Sequence, residues 1–299
     1  MKKKNVLIIG GMGFIGQHLT ELCKKKNFNI TILDVNTPHN KRSKSIRYIK
    51  GSVENEKTVK SAMKNIDFVF HFAGEADIYK ANKFPLQAVK KNILGTTIVL
   101  EQAVKQNIKR LMFASSIYVF SEQGGVYRTT KQACELLIEN YSKIYGLKYT
   151  NLRFGSLYGI KANNSNFIYR MISDANTKGR MVRNGDGSEI RNYINVKDVA
   201  KYCIVALQKK YENKNIMMLG QERKSIKQVL NLIKSKLNKK IKIDYNGERD
   251  FAHYKTSPFT FKKRKVEYLR GVKEISFEDG IKEIIEEISF QNAKKNKNK

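Results

Sequence analysis

Gly10-Gly11-Met12-Gly13-Phe14-Ile15-Gly16 follows directly on the apolar run Val6-Leu7-Ile8-Ile9 and leads into a helical stretch at 15–26. An apolar run bounded by glycines reads as a buried strand, and the stretch after it carries helical spacing. Glycines at 10, 13 and 16 permit a tight turn. They also let a pyrophosphate approach the backbone and let the helix pack on the strand. The free N–H groups and the positive dipole end of such a helix favour phosphate. Outward from this turn, strand-like runs at 29–33, 47–49, 68–72, 110–114 and 149–153 alternate with helix-like stretches at 55–63, 85–106 and 127–145. That alternation predicts an α/β fold, a doubly wound parallel sheet covered on both faces.

After Phe154 the pattern loosens. Gly155, Gly159, Asn163-Asn164, Gly179 and Gly185-Asp186-Gly187 punctuate it, and helical spacing returns at 196–208, 226–237 and 278–288. The reading is a nucleotide-binding domain at 1–155 and a smaller substrate-binding region at 156–290, partly interleaved with it. A basic tail follows at 291–299, where Lys294-Lys295-Asn296-Lys297-Asn298-Lys299 reads as a frayed end.

Composition narrows the function classes. The 299 residues are 41% hydrophobic, enough for a core, so global disorder is excluded. Lys and Arg number 58 against 27 Asp and Glu, a formal charge of +31. The lysines are spread over the whole length and tryptophan is absent. This fits an AT-rich coding bias better than a nucleic-acid-binding patch, and it suits a small anionic substrate such as a sugar nucleotide. Cys23, Cys134 and Cys203 match no metal spacing and read as buried thiols. His18, His39, His71 and His253 do not cluster either, so no metal site is expected. The run before the glycines is too short for a membrane span or a signal peptide. A soluble cytoplasmic protein without membrane contact is expected.

Two further constellations carry chemistry. Asp34 closes the second strand-like run 18 residues beyond Gly16. A carboxylate there accepts hydrogen bonds from the adenosine ribose and repels a 2′-phosphate, favouring NAD over NADP. Lys41 and Arg42 nearby in sequence oppose that preference. Tyr127 and Lys131 stand four apart on a predicted helix and share a face. A tyrosine titrates near pH 10. A neighbouring ammonium and an oxidised nicotinamide favour its phenolate, which makes it a usable acid/base group. A lone Tyr–Lys pair is common. This one is joined by Ser115-Ser116 at the C-terminal end of the fifth strand, the edge where doubly wound sheets bind ligands.

On these motifs the chain resembles the extended short-chain dehydrogenase/reductase family, the NAD-dependent sugar epimerases and dehydratases. The resemblance also runs through Val69-Phe70-His71-Phe72-Ala73-Gly74, Asn92-Ile93-Leu94-Gly95-Thr96, Leu152-Arg153, Tyr158-Gly159 and Gly185-Asp186-Gly187 with Arg191 and Asp198. It implies a Rossmann-type sheet with bound NAD. The cofactor would lie along Gly10, Gly13, Phe14, Ile15 and Gly16, with Asp34 on the ribose and Phe72, Ala73 and Gly74 beneath the fourth strand. Asn92 would take a structural and cofactor-side role. Tyr127 would be the catalytic acid/base, Lys131 its activator and a holder of the nicotinamide ribose, and Ser116 a partner of the sugar oxygen. Ser115, Ser156 and Arg191 would meet the substrate, Arg191 at its diphosphate. Asp198 would be structural, as a cap of the helix it opens. The resemblance further implies a homodimer through helices near 92–106 and 127–145.

Departures from the family pattern sharpen the reaction. Ile9 replaces a usual threonine, Ser52 a usual aspartate and Ser156 a usual asparagine, and the segment 120–127 is short. Related 4,6-dehydratases carry an Asp-Glu pair after the serine position, where this chain has Ile117-Tyr118. Neither can perform the elimination of water, so oxidation and reduction at a sugar carbon remain. The reading is an NAD-dependent nucleotide-sugar epimerase acting through a 4-keto sugar. The alternative is a nucleotide-sugar dehydrogenase or 4-ketoreductase with net redox turnover. A non-catalytic NAD-binding or RNA-associated protein is disfavoured by the intact Ser116, Tyr127 and Lys131.

Overall fold

The apolar runs become the middle of a sheet. The computed structural model describes residues 3–38, 45–237, 240–247, 253–257, 267–268 and 271–297; Lys41 and Arg42 lie outside them. The strands are β1 (Asn5–Ile9), β2 (Asn29–Asp34), β3 (Ile46–Lys50), β4 (Phe68–His71), β5 (Arg110–Ser116), β6 (Tyr149–Phe154), β7 (Ser156–Tyr158), β8 (Arg180–Arg183), β9 (Ile190–Asn195), β10 (Lys214–Met218), β11 (Arg223–Ser225), β12 (Lys242–Tyr245) and β13 (Glu267–Tyr268). The α-helices are α1 (Phe14–Lys25), α2 (Glu56–Ala62), α3 (Ile78–Lys83), α4 (Pro85–Val89), α5 (Gly95–Lys105), α6 (Gly125–Tyr145), α7 (Phe167–Lys178), α8 (Val196–Val205), α9 (Ile226–Lys236) and α10 (Phe277–Lys297). Two compact units result. One is Met1–Phe154 with Ala200–Met218 and Phe259–Gly271; the other is Gly155–Val199 with Leu219–Pro258 and Val272–Lys299.

The first unit holds an eight-stranded sheet in the order β13-β10-β6-β5-β4-β1-β2-β3, parallel throughout. Val6, Leu7, Ile8 and Ile9 are buried, and so are all seven residues of β5. Sheets covered on both faces need apolar strands rather than alternating ones, which is why these runs were legible. Strand order reverses at β1, which leads to β2 on one side and lies against β4 on the other. The crevice at such a switch point is where doubly wound sheets bind ligands. The glycine turn and the 72–74 segment both leave the sheet there.

Two features of this unit went unread in the sequence. β10 and β13 join the sheet beside β6 from far along the chain. The stretch expected as one helix at 85–106 is α4 and α5 joined by a π-helical turn, Lys90–Leu94. π-turns leave backbone groups without their usual helical partners and are frequent at functional sites.

The second unit has a three-stranded sheet, β11-β9-β7, and a β12-β8 pair. Ile168, Met171, Ile172, Val229, Leu230, Ile233, Ile281 and Ile284 form its own core. Tyr158, Tyr193 and Phe277 pack ring against ring beside it, 4.8–6.4 Å between centroids. The Asp198 carboxylate accepts the Ile275 N–H at 2.7 Å, and Asn195 accepts the Lys197 N–H at the start of α8. One expectation is corrected: the basic run at 294–299, expected to fray, is helical as far as Lys297, because α10 continues into it.

Candidate active site

The glycine turn is shaped by close approach. Gly10 has φ +84°, and a Cβ there would lie 2.7 Å from the Ala73 nitrogen. A Cβ on Gly16 would overlap the Gly10 carbonyl and the Gly11 backbone. α1 begins on Gly13 with no side chain over its first turn and no acidic residue in it. By contrast α2, α3, α7 and α9 are capped by Asn55, Asp77, Asn166 and Ser225. The open N–H groups and the absence of a Cβ at Gly13 fit the pyrophosphate of a dinucleotide. Asp34 accepts the Met12 N–H through Oδ2 and the Asn36 N–H through Oδ1, both at 2.9 Å. Its carboxylate therefore fixes the turn. Phe14 and Ile15 open α1 and are half-buried.

At the end of β4 the N–H groups of Phe72 and Ala73 both donate to the Ile9 carbonyl, at 2.8 and 3.0 Å, which turns the chain out of the sheet. Gly74 follows at φ +152°, and a Cβ there would lie 2.6 Å from Asn92 Oδ1. Asn92 sits in the π-turn, buried. Its Oδ1 accepts the Glu75 N–H at 2.7 Å, and its Nδ2 donates to the Glu75 carbonyl at 3.1 Å and to Thr130 Oγ1 at 2.9 Å. Both amide protons are thus engaged by the protein. Asn92 thereby clamps the 74–75 segment to α6, which is the structural half of the role expected for it.

β5 and α6 supply the remaining groups. Lys131 Nζ donates to the Ala114 carbonyl at 2.7 Å and lies 4.8 Å from the Phe113 ring centre and 5.9 Å from that of Tyr127. Burial pulls its pKa down, opposed by Cys134 and Glu135. Ser116 Oγ accepts the Tyr118 N–H at 3.3 Å, and the Tyr118 ring meets Tyr127 edge-on at 6.0 Å. Tyr118 therefore touches both groups, a contact that sequence reading missed. Ser115, expected beside the substrate, bonds within the protein. Adjacent strand residues point to opposite faces, and its hydroxyl is buried and donates to Glu135 Oε1 at 2.5 Å. His71 behind these residues bonds Thr96 Oγ1 through Nε2 at 3.1 Å, and burial, aided by Lys131, draws its pKa down to about 3.

Ser156 and Arg191 belong to the second unit, where Tyr254 brings them together. The Arg191 guanidinium lies 4.1 Å from the Tyr254 ring centre, and the Tyr254 hydroxyl bonds Ser156 and Ser257. Arg191 also donates to the carbonyls of Ile190 at 3.1 Å and Lys255 at 3.4 Å. A guanidinium stacked on a ring has its orientation fixed, as recognition of a diphosphate requires. No local signal marked Tyr254. Among the described residues no His, Cys, Asp or Glu cluster could hold a metal, and no helix is long and apolar enough to cross a membrane.

A parallel doubly wound sheet with this turn, a serine at the end of β5 and a tyrosine and lysine on the helix packed against it has the make-up of a dinucleotide-dependent enzyme. The model of the NAD dependent epimerase/dehydratase family matches residues 6–220, and the chain belongs to that family. A Methanocaldococcus jannaschii protein provisionally named UDP-glucose 4-epimerase is 27% identical, covering 94% of this chain and 97% of its own. The UDP-glucuronate 4-epimerase of Thermodesulfobacterium geofontis is 25% identical, over 93% and 94% of the two chains. The solved UDP-N-acetylglucosamine 4-epimerase of Methanobrevibacter ruminantium, in complex with UDP-N-acetylmuramic acid, matches with a TM-score of 0.86 at 25% identity. That match covers 97% of this chain and 100% of the other.

Proposed function

We propose that this chain is a nucleotide-sugar 4-epimerase in which Tyr127 is the acid/base group. The observation that carries the reading is that α6 brings Lys131 onto the Ala114 carbonyl while Tyr118 bridges Ser116 and Tyr127 at the C-terminal end of β5. Gly10, Gly13, Gly16 and Asp34, with the 72–74 segment alongside, would hold NAD, which when bound would supply reversible hydride acceptance. Tyr127 takes the proton of the sugar C4 hydroxyl and returns it. Ser116 bonds the same oxygen and holds it in line with the phenol. The Lys131 ammonium favours the phenolate. Arg191, backed by Tyr254, grips the diphosphate. Ile117 and Tyr118 carry no carboxyl, so elimination of water has no acid/base partner at those positions, which disfavours dehydratase chemistry.

A homodimer through the α5 and α6 face is supported by Leu136, Ile144 and Tyr145, apolar residues exposed on α6. Three unpaired buried thiols suit a reducing compartment such as the cytoplasm.

The test is to purify the protein without added cofactor, denature it and weigh any released nucleotide by mass spectrometry. An epimerase restores its own hydride and retains NAD, so near-stoichiometric NAD or NADH is expected. A protein that emerges empty yet binds added NADH or NADPH points instead to net redox turnover.

A further inference from the structure

Glu135 lies one helical turn beyond Lys131 on α6, hence on the same face, and is buried. Its Oε1 accepts the Ser115 hydroxyl at 2.5 Å and Arg153 Nε at 2.9 Å; its Oε2 accepts Arg153 Nη2 at 2.6 Å. Arg153 on β6 is fully buried, and its guanidinium lies 4.6 Å from the Phe120 ring centre. Phe120 ends the short turn that carries Tyr118. Two consecutive residues of β5 are thus held by side chains one turn apart on α6, Ala114 by Lys131 and Ser115 by Glu135. Ser116 is the next residue.

A buried ion pair is weak evidence of stability, because well-packed apolar residues of similar volume often do as well or better. This pair therefore asks for another reason. The groups facing Lys131 are Tyr127, Cys134 and Glu135 on α6, His71 on β4, the Phe113 ring and Ala114 carbonyl on β5, and Arg153 on β6 through its bond to Glu135. Burial keeps His71 neutral and the Cys134 thiol protonated. Glu135 is the carboxylate among them.

We propose that Glu135 is a positioning residue: it locks α6 onto β5 and β6 so that Tyr127 and Lys131 face Ser116, and its charge keeps the buried Lys131 an ammonium. This rests on the reading of Tyr127 as the acid/base group. Without the carboxylate, Lys131 loses an attractive partner and Arg153 loses its counter-charge. Both changes make Lys131 release its proton at lower pH.

The test compares NAD-loaded wild type with Glu135→Gln, Glu135→Asp, Ser115→Ala and Tyr127→Phe. The substrates are UDP-glucose, UDP-N-acetylglucosamine and UDP-glucuronate. In Glu135→Gln the alkaline limb of kcat should move to lower pH by about one unit. Glu135→Asp should lower kcat and leave that limb in place. Ser115→Ala should lower kcat about tenfold with KM little changed. A second readout needs no substrate. Lys131 has a depressed folded pKa, so below it the unfolded and folded chains are equally protonated and the charge of Glu135 contributes in full. That contribution disappears as pH rises through the folded pKa. The Tm gap between wild type and Glu135→Gln should therefore narrow as pH rises through the depressed Lys131 pKa, below the ordinary 10.5, whereas a purely structural pair leaves it constant.

An unmoved limb with a constant gap overturns the electrostatic half, and wild-type kcat in Ser115→Ala overturns the positioning half. If Glu135→Gln does not fold, the Ser115→Ala result decides. Wild-type turnover in Tyr127→Phe sinks the acid/base reading itself. An inactive Tyr127→Phe beside an unchanged Glu135→Gln sinks the Glu135 proposal alone.

Discussion

The two units place functional groups by different means. In the first, Gly10, Phe72 and Ser116 sit at or just beyond the C-terminal ends of β1, β4 and β5, strands locked side by side by an uninterrupted parallel ladder. Their mutual placement follows from strand length and register. In the second, Ser156 and Arg191 stand on the short strands β7 and β9 and are organised by Tyr254, which comes from a segment outside any strand. The groups proposed for the chemistry thus stand where the ladder over-determines the geometry, and those proposed for substrate contact stand where it depends on a few side chains. Loops on a rigid scaffold are where specificity varies at least structural cost.

Variants can break or sharpen that contrast. Tyr127→Phe should lower kcat by about 10³-fold or more while NAD stays bound. Turnover near the wild-type rate, followed by nucleotide-sugar conversion, would remove the catalytic role from the first unit. Gly16→Ala forces a Cβ into the Gly10 carbonyl, so NAD should be absent from the purified protein and Tm lowered, read by mass spectrometry and thermal melting. Arg191→Ala should raise KM for a nucleotide sugar about tenfold or more and change kcat less, with Arg191→Lys in between. A fall confined to kcat would show that the second unit acts on the chemical step. Tyr254→Phe keeps the ring beneath Arg191 and removes only the hydroxyl bonds, so a KM increase of about two- to fivefold is expected.

The smallest effect concerns His71. Its folded pKa near 3 lies below the ordinary value of 6.5. Between these values the unfolded chain binds a proton that the folded chain does not. Its contribution is complete above pH 6.5 and is lost as pH falls toward 3. The Tm of His71→Gln should therefore fall less steeply than wild type between pH 6.5 and 4, and equal slopes would show that His71 is not held neutral.

Legibility in the sequence follows the same division. The core strands, the glycine turn, Asp34 and the Tyr127–Lys131 spacing were readable because each is a local pattern: apolar runs, glycines where a Cβ cannot fit, and one helical turn between two side chains. The π-turn, β10 and Tyr254 were not. A π-turn differs from an α-helix by one residue, with no change in apolar spacing to betray it. The apolar residues of the Lys214–Met218 strand do not say which sheet they enter; pairing with β6, far earlier in the chain, decides that.

The sequence by itself determined the class of sheet, the place of the glycine turn and the one-turn spacing of Tyr127 and Lys131, since backbone sterics and helical periodicity act between near neighbours. Only the tertiary structure decided what Asn92, Ser115 and Glu135 do. Their side chains have several partners within reach of their chemistry. Which partner each takes depends on how β4, β5, β6 and α6 pack. Ser115 and Ser116 look alike in the sequence. The pleat of β5 turns one toward a buried carboxylate and leaves the other at the strand end beside Tyr118 and Tyr127.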